Sequence, residues 1–185
     1  MRVLGVDPGS RFMGYGVVEE RQGQVRHIAH GVLRADAHGR LEDRLRVLFD
    51  GLTEVAVQHA PDAVAVEGVF TLRNARSALV LGHARGVALL VAAQRGLAVH
   101  EYAPARVKKA MGCGGAGNKS KVAQMVCRFL ALKTLARADA TDALAIALCH
   151  LRTGRMMLPT VSAAGAWEAF SARLRPNVRR AGVAL

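Results

Sequence analysis

The sequence predicts an α/β domain built on a mixed five-stranded β-sheet flanked by α-helices. Three observations lead there: three β-type segments follow one another at the N-terminus, strand-like and helix-like segments then alternate, and turn residues separate them. At 185 residues the chain reads as one domain, large enough to bury a core without a disulfide or metal staple.

Arg2 to Val6 is a short apolar run closed by the turn sequence Asp7-Pro8-Gly9-Ser10. Tyr15 to Glu19 and Val25 to Leu33 are β-type segments joined at Arg21-Gln22-Gly23. Leu41, Leu45, Leu48, Leu52 and Val55 recur at helical spacing, so an amphipathic helix runs there and stops before Pro61. Ala63 to Val66 reads as a buried strand ending at Glu67. Arg76 to Arg95 reads as a long helix, apolar on nearly every side and stopped by Gly96, and Leu97 to Tyr102 as the fifth strand. Pro104 opens a short basic helix, and Lys119 to Leu130 and Asp139 to Leu151 are the last two helices. Residues 1–154 form the expected domain. Residues 155–185, a basic tail with little periodicity, are expected to be partly mobile.

Composition narrows the function. With 51% hydrophobic residues the chain is no disordered tail, and three cysteines without a Cys-x-x-Cys pair support neither a disulfide framework nor a zinc ribbon. A strand-like N-terminus is no signal peptide, and the longest apolar run, Gly86 to Ala93, is too short to span a bilayer. A cytoplasmic protein is expected. Through Glu67 the chain carries 8 Lys and Arg against 10 acids; from Gly68 onward it carries 18 against 4. Between Glu101 and Asp139 lie eight basic residues and no acid. A field of one sign favours a polyanion, and nucleic acid is preferred to a membrane because no segment pairs a Lys-rich face with exposed Trp or Phe.

Gly112-Cys113-Gly114-Gly115-Ala116-Gly117 matches a dinucleotide fingerprint in letters only. It follows a basic helix rather than a strand, so it reads as a lead-in to a helix that Asn118 can cap. The seven histidines make no His-x-x-x-His pair and read as core or surface residues. The carboxylates say more. Asp7 and Glu67 each end an apolar strand, at the rim where sites in such sheets are built, and Asp139 and Asp142 sit three apart at a helix start, on one face. Taken alone, the pair is ordinary: acids at helix starts cap amides and complement the dipole. Together with the basic stretch, four acids supply the hard oxygen ligands that Mg²⁺ or Mn²⁺ demands in phosphodiester cleavage.

Asp7-Pro8-Gly9-Ser10-Arg11 with Gly14-Tyr15-Gly16, Glu67-Gly68-Val69-Phe70, Leu81-Gly82-His83-Ala84-Arg85-Gly86 and Asp139-Ala140-Thr141-Asp142-Ala143-Leu144-Ala145 together resemble the RuvC family of Holliday-junction resolvases, in order and spacing over roughly residues 1–154. The resemblance implies a ribonuclease-H-like fold and a homodimer that resolves four-way DNA junctions in recombination and repair. It implies Asp7, Glu67, Asp139 and Asp142 as catalytic metal ligands for Mg²⁺ or Mn²⁺, two ions per site, with Lys108 and Lys119 near the phosphates and Phe70 inserting at the junction. Arg73, Arg76 and Lys121 are further candidate DNA contacts. The Arg76 to Arg95 helix would help form the dimer, and the RuvA–RuvB branch-migration complex would be the partner. The glycine-rich loop 112–117 and the tail show no match. Two rivals stay open: a non-catalytic basic DNA-binding module with structural acids, and a ribonuclease-H-type nuclease of RNA–DNA hybrids. An actin-like ATPase needs a second half for which the chain has no room.

Overall fold

The computed structural model describes residues 1–68, 75–114, 118–134 and 137–154. Five strands, β1 (Arg2–Asp7), β2 (Phe12–Arg21), β3 (Gln24–Arg34), β4 (Ala63–Glu67) and β5 (Ala98–Tyr102), form one mixed sheet in the order β3-β2-β1-β4-β5. β1 to β3 pair antiparallel, as hairpin-length connections dictate, while β4 and β5 add in parallel after helical crossovers. The helices are α1 (Leu41–His59), α2 (Ala75–Gln94), α3 (Pro104–Ala110), α4 (Lys119–Leu130) and α5 (Ala138–Gly154). The expected element order holds throughout. β2 and β3 are longer than the sequence suggested, because cross-strand pairing recruits Phe12, Met13, Gln24 and Arg34, which lack a clear β pattern of their own.

Strand alternation sorts the core into two layers. Leu4, Val6, Val64 and Val66 face α1 and α2; Val3 and Ala65 face α3, α4 and α5. By the same alternation Asp7 and Glu67, one residue beyond Val6 and Val66, fall on the α5 face. α5 is buried almost throughout, from Ala140 to Leu151 except Asp142. Glycines let it lie against the sheet: a Cβ at Gly5 would overlap the Ala143 carbonyl oxygen, one at Gly14 the Asp139 carbonyl oxygen, and one at Gly16 the Leu144 side chain. Near its other end His150 is buried, and its Nδ1 lies 2.7 Å from the Tyr102 hydroxyl on β5. Burial and the neighbouring His100 hold the His150 imidazole down to about 4.

α2 corrects one expectation. As a continuous helix it is long and apolar enough to cross a bilayer, which the shorter apolar run Gly86 to Ala93 did not suggest. Its Ala84, Val87, Ala88, Val91 and Ala92 nevertheless join the core under the sheet, and Arg85 pairs with Glu101 beside β5. Leu79 and Leu90 stay exposed, at 66% and 51%, and Leu79, Gly82, His83 and Gly86 line an open apolar groove. Asn118 caps α4, its side-chain oxygen accepting from the Lys121 amide at 2.9 Å. Gly115 to Gly117, Phe70, Arg73 and the tail 155–185 lie outside the described residues.

Candidate active site

β1 and β4 run side by side in parallel, so Asp7 and Glu67 emerge together at their C-terminal ends. α5 brings its first turns to the same edge, because Gly14, paired with Asp7 on β2, leaves no side chain between the sheet and Asp139. The acids feel one another strongly. Burial pushes Asp7 up to about 7, helped by the charges of Glu67, Asp142 and Asp139 and opposed by Lys119. Glu67 is also held above the usual carboxylate range, by burial and by Asp142, with Lys119 and Lys108 opposing.

Two of the acids carry cationic partners. Lys119 Nζ, at the start of α4, donates to Asp142 Oδ2 at 3.1 Å. Arg137 Nη2 donates to Asp139 Oδ2 at 3.1 Å. Asp139 is therefore not the helix cap that the ordinary reading allowed: the Arg137 carbonyl opens α5, accepting from the Thr141 amide and hydroxyl. With Asp139 and Asp142 so engaged, no three His, Cys, Asp or Glu side chains among the described residues converge closely enough to hold a metal ion as they stand. The donor set nevertheless fits a hard divalent cation. All four groups are carboxylates, and a nearby cation would offset both the burial and the neighbouring negative charges that raise Asp7.

Of the expected DNA contacts, Lys108 on α3 and Lys119 lie near enough to act on the charge of Glu67. Lys121 is exposed one helical position beyond Ser120, and Arg76 is exposed at the start of α2. Sequence reasoning missed two further groups. Ser10, Arg11 and Arg44 join Arg76 and Ser77 in lining a groove of about 540 Å³ beside the Asp7 turn, and Arg44 Nη1 reaches Ser10 Oγ at 3.4 Å. Arg44 sits on a helix face that reads as solvated, so only the fold brings it to the turn. Arg137 was visible merely as one of eight basic residues.

The family model described as "Crossover junction endodeoxyribonuclease RuvC" matches residues 3–150. The chain belongs to the RuvC family. The crossover junction endodeoxyribonuclease RuvC of Myxococcus xanthus is 62% identical, over 97% of this chain and 98% of that relative. Its counterpart from Trichlorobacter lovleyi is 46% identical, over 85% of this chain and 89% of its own. The structure of T. thermophilus RuvC in complex with a Holliday junction substrate superposes with a TM-score of 0.77 at 34% identity, covering 84% of this chain and 96% of that one. The yeast mitochondrial Holliday junction resolvase, at 15% identity and a TM-score of 0.60 over 93% of this chain and 85% of its own, shares the fold. The ribonuclease-H-like architecture expected from the motifs is the one present.

Proposed function

We propose that this protein resolves four-way DNA junctions by paired, metal-dependent hydrolysis of phosphodiesters, with Asp7, Glu67, Asp139 and Asp142 as the ligands of two Mg²⁺ or Mn²⁺ ions. The observation that supports the reading is the placement of Asp7 and Glu67 at the ends of adjacent parallel strands, with the charges of Asp142 and Asp139 also acting on Asp7, in a chain of net charge +12. Ions bound there would activate water and stabilise the departing oxygen. Water adds to phosphorus, the P–O3′ bond breaks, and the products are a 3′-hydroxyl and a 5′-phosphate that a ligase can seal.

The chain's own residues hold the strand in place. Lys119 and Lys108 offer their ammonium groups to the phosphate beside the acids, while Lys121 and Arg76 extend the positive surface, with Arg11 and Arg44 along the adjoining groove. Phe70, which follows β4 in sequence, is assigned to the junction, where an aromatic can stack on an unpaired base, and Arg73 to a further DNA contact. Two nicks at related positions call for two sites related by a twofold axis, and the exposed apolar face of α2 at Leu79, Gly82 and Gly86 suits a homodimer. The RuvA–RuvB branch-migration complex is the expected partner, in the cytoplasm.

Incubation with a four-way junction, a linear duplex and an RNA–DNA hybrid, each with Mg²⁺, Mn²⁺ or EDTA, tests the reading. Metal-dependent, paired nicking of the junction is expected. Cleavage of the hybrid but not the junction would point to the other nuclease class, and metal-independent binding without cleavage to a binding module.

A further inference from the structure

Arg137 is held at three points around the first turn of α5. Its backbone carbonyl accepts from the Thr141 amide at 3.2 Å and the Thr141 hydroxyl at 3.0 Å, which fixes the main chain at the helix start. Its Nη2 donates to Asp139 Oδ2 at 3.1 Å. Its Cζ stands 4.6 Å from the centroid of the Phe12 ring, where β2 begins. The pair lies at the rim, with the Arg137 and Asp139 side chains 35% and 34% exposed. The Phe12 platform is exposed as well, and the Arg137 Nε is buried without a hydrogen-bond partner.

An ion pair this open contributes little to stability, so stability does not account for the arrangement. Its effect on Asp139 is of another kind. A guanidinium donating to Oδ2 takes one of the carboxylate's acceptor sites and sets a positive charge beside it, so a hard cation must compete with it. Lys119 does the same to Asp142 from a mostly exposed position, whereas Arg137 has the Phe12 ring contact in addition.

We propose that Arg137 is a positioning residue that sets the divalent-cation affinity of the site: it holds Asp139 oriented and paired, and an incoming ion competes with it for that carboxylate. The inference rests on the assignment of Asp139 to the cation site. Once displaced, the guanidinium keeps its contact with Phe12 and remains at the rim, where a phosphate oxygen can replace Asp139 as its acceptor. Loading of the ion and capture of the strand are thereby coupled through one side chain.

Calorimetric titration of the full chain with Mn²⁺, without DNA, tests this on the wild type, Arg137→Gln, Asp139→Asn and the double variant. Arg137→Gln should tighten Mn²⁺ by about two- to fivefold, the size of an exposed ion pair. Arg137→Lys, which keeps the charge, should lie between it and the wild type. Asp139→Asn should weaken Mn²⁺, and in that background Arg137→Gln should change nothing further. Unchanged or weaker binding in Arg137→Gln, with melting temperature retained, overturns the proposal. So does a tightening that survives in the double variant, because the arginine would then act as a general field rather than through Asp139. Unaltered Mn²⁺ affinity in Asp139→Asn alone would instead overturn the ligand assignment, and the proposal with it.

Discussion

Asp7 and Glu67 stand at the ends of adjacent strands and have no ion-pair partner among the described residues, whereas Asp139 and Asp142 stand on α5 and are each met by a cation. The strand-borne acids pay for their burial with raised proton affinities; the helix-borne acids share their charge with Arg137 and Lys119. The two pairs thus meet the same problem, clustered negative charge, in different ways. Two of the acids are fixed to the sheet and only partly offset by Lys119 and Lys108, and the other two are directly paired with Lys119 and Arg137.

The sharpest way to break this comparison is to remove one acid at a time. Asp7→Asn, Glu67→Gln, Asp139→Asn and Asp142→Asn should each slow single-turnover nicking by about 1,000-fold, roughly 4 kcal/mol of barrier, with junction binding retained. Stability should separate the two pairs. In EDTA, Asp7→Asn relieves a buried charge repelled by three others and should raise the melting temperature by about 2–6 °C. Asp139→Asn should not raise it. Equal melting shifts for Asp7→Asn and Asp139→Asn would erase the distinction.

Any pH profile used to compare the acids is bounded below by His150. Its folded value of about 4 lies below the ordinary 6.5, so the unfolded chain takes up the proton first. The resulting stability is complete above about pH 6.5 and is lost as pH falls toward about 4, amounting to about 3 kcal/mol. Denaturant melts across this window should show the slope, and His150→Gln should flatten it.

Gly14→Ala sharpens the comparison from the geometric side, since the added methyl would have to displace the Asp139 backbone. We expect about 1–3 kcal/mol of destabilisation and roughly 100-fold slower nicking, measured by chemical denaturation and single-turnover assays. Lys119→Ala should have the smallest effect. The Lys119 side chain is 81% exposed, so stability should change by less than about 0.5 kcal/mol. Nicking should slow by about tenfold, and the salt dependence of junction binding should become shallower by about one unit of slope.

Much of this was legible in the residues themselves. Asp7 and Glu67 announce themselves as acids that end apolar runs, and the leucine spacing of α1 and the Pro104 start of α3 are local signals that packing did not override. The hidden parts are those that only tertiary contacts create. The outer residues of β2 and β3 are strand because a partner pairs with them. The order of strands depends on which edges α1 and α2 return to. Arg137 carries no pattern that separates it from its basic neighbours; Asp139 is only two residues away, but the contact with Phe12, far off in sequence, is made by the fold alone.

The contact of α5 with Gly5, Gly14 and Gly16 is, at two of its three points, main chain against main chain. The backbone spacing between β1, β2 and the start of α5, on which Asp7 and Asp139 are mounted, is therefore gauged by atomic radii, and no change of core rotamer can lengthen or shorten it. Core side chains elsewhere can be exchanged, loosening or stiffening the molecule, while this gauge keeps its setting. What the chain cannot exchange is a hydrogen atom at each of three positions, and the reach of its chemistry is calibrated by those smallest of all side groups.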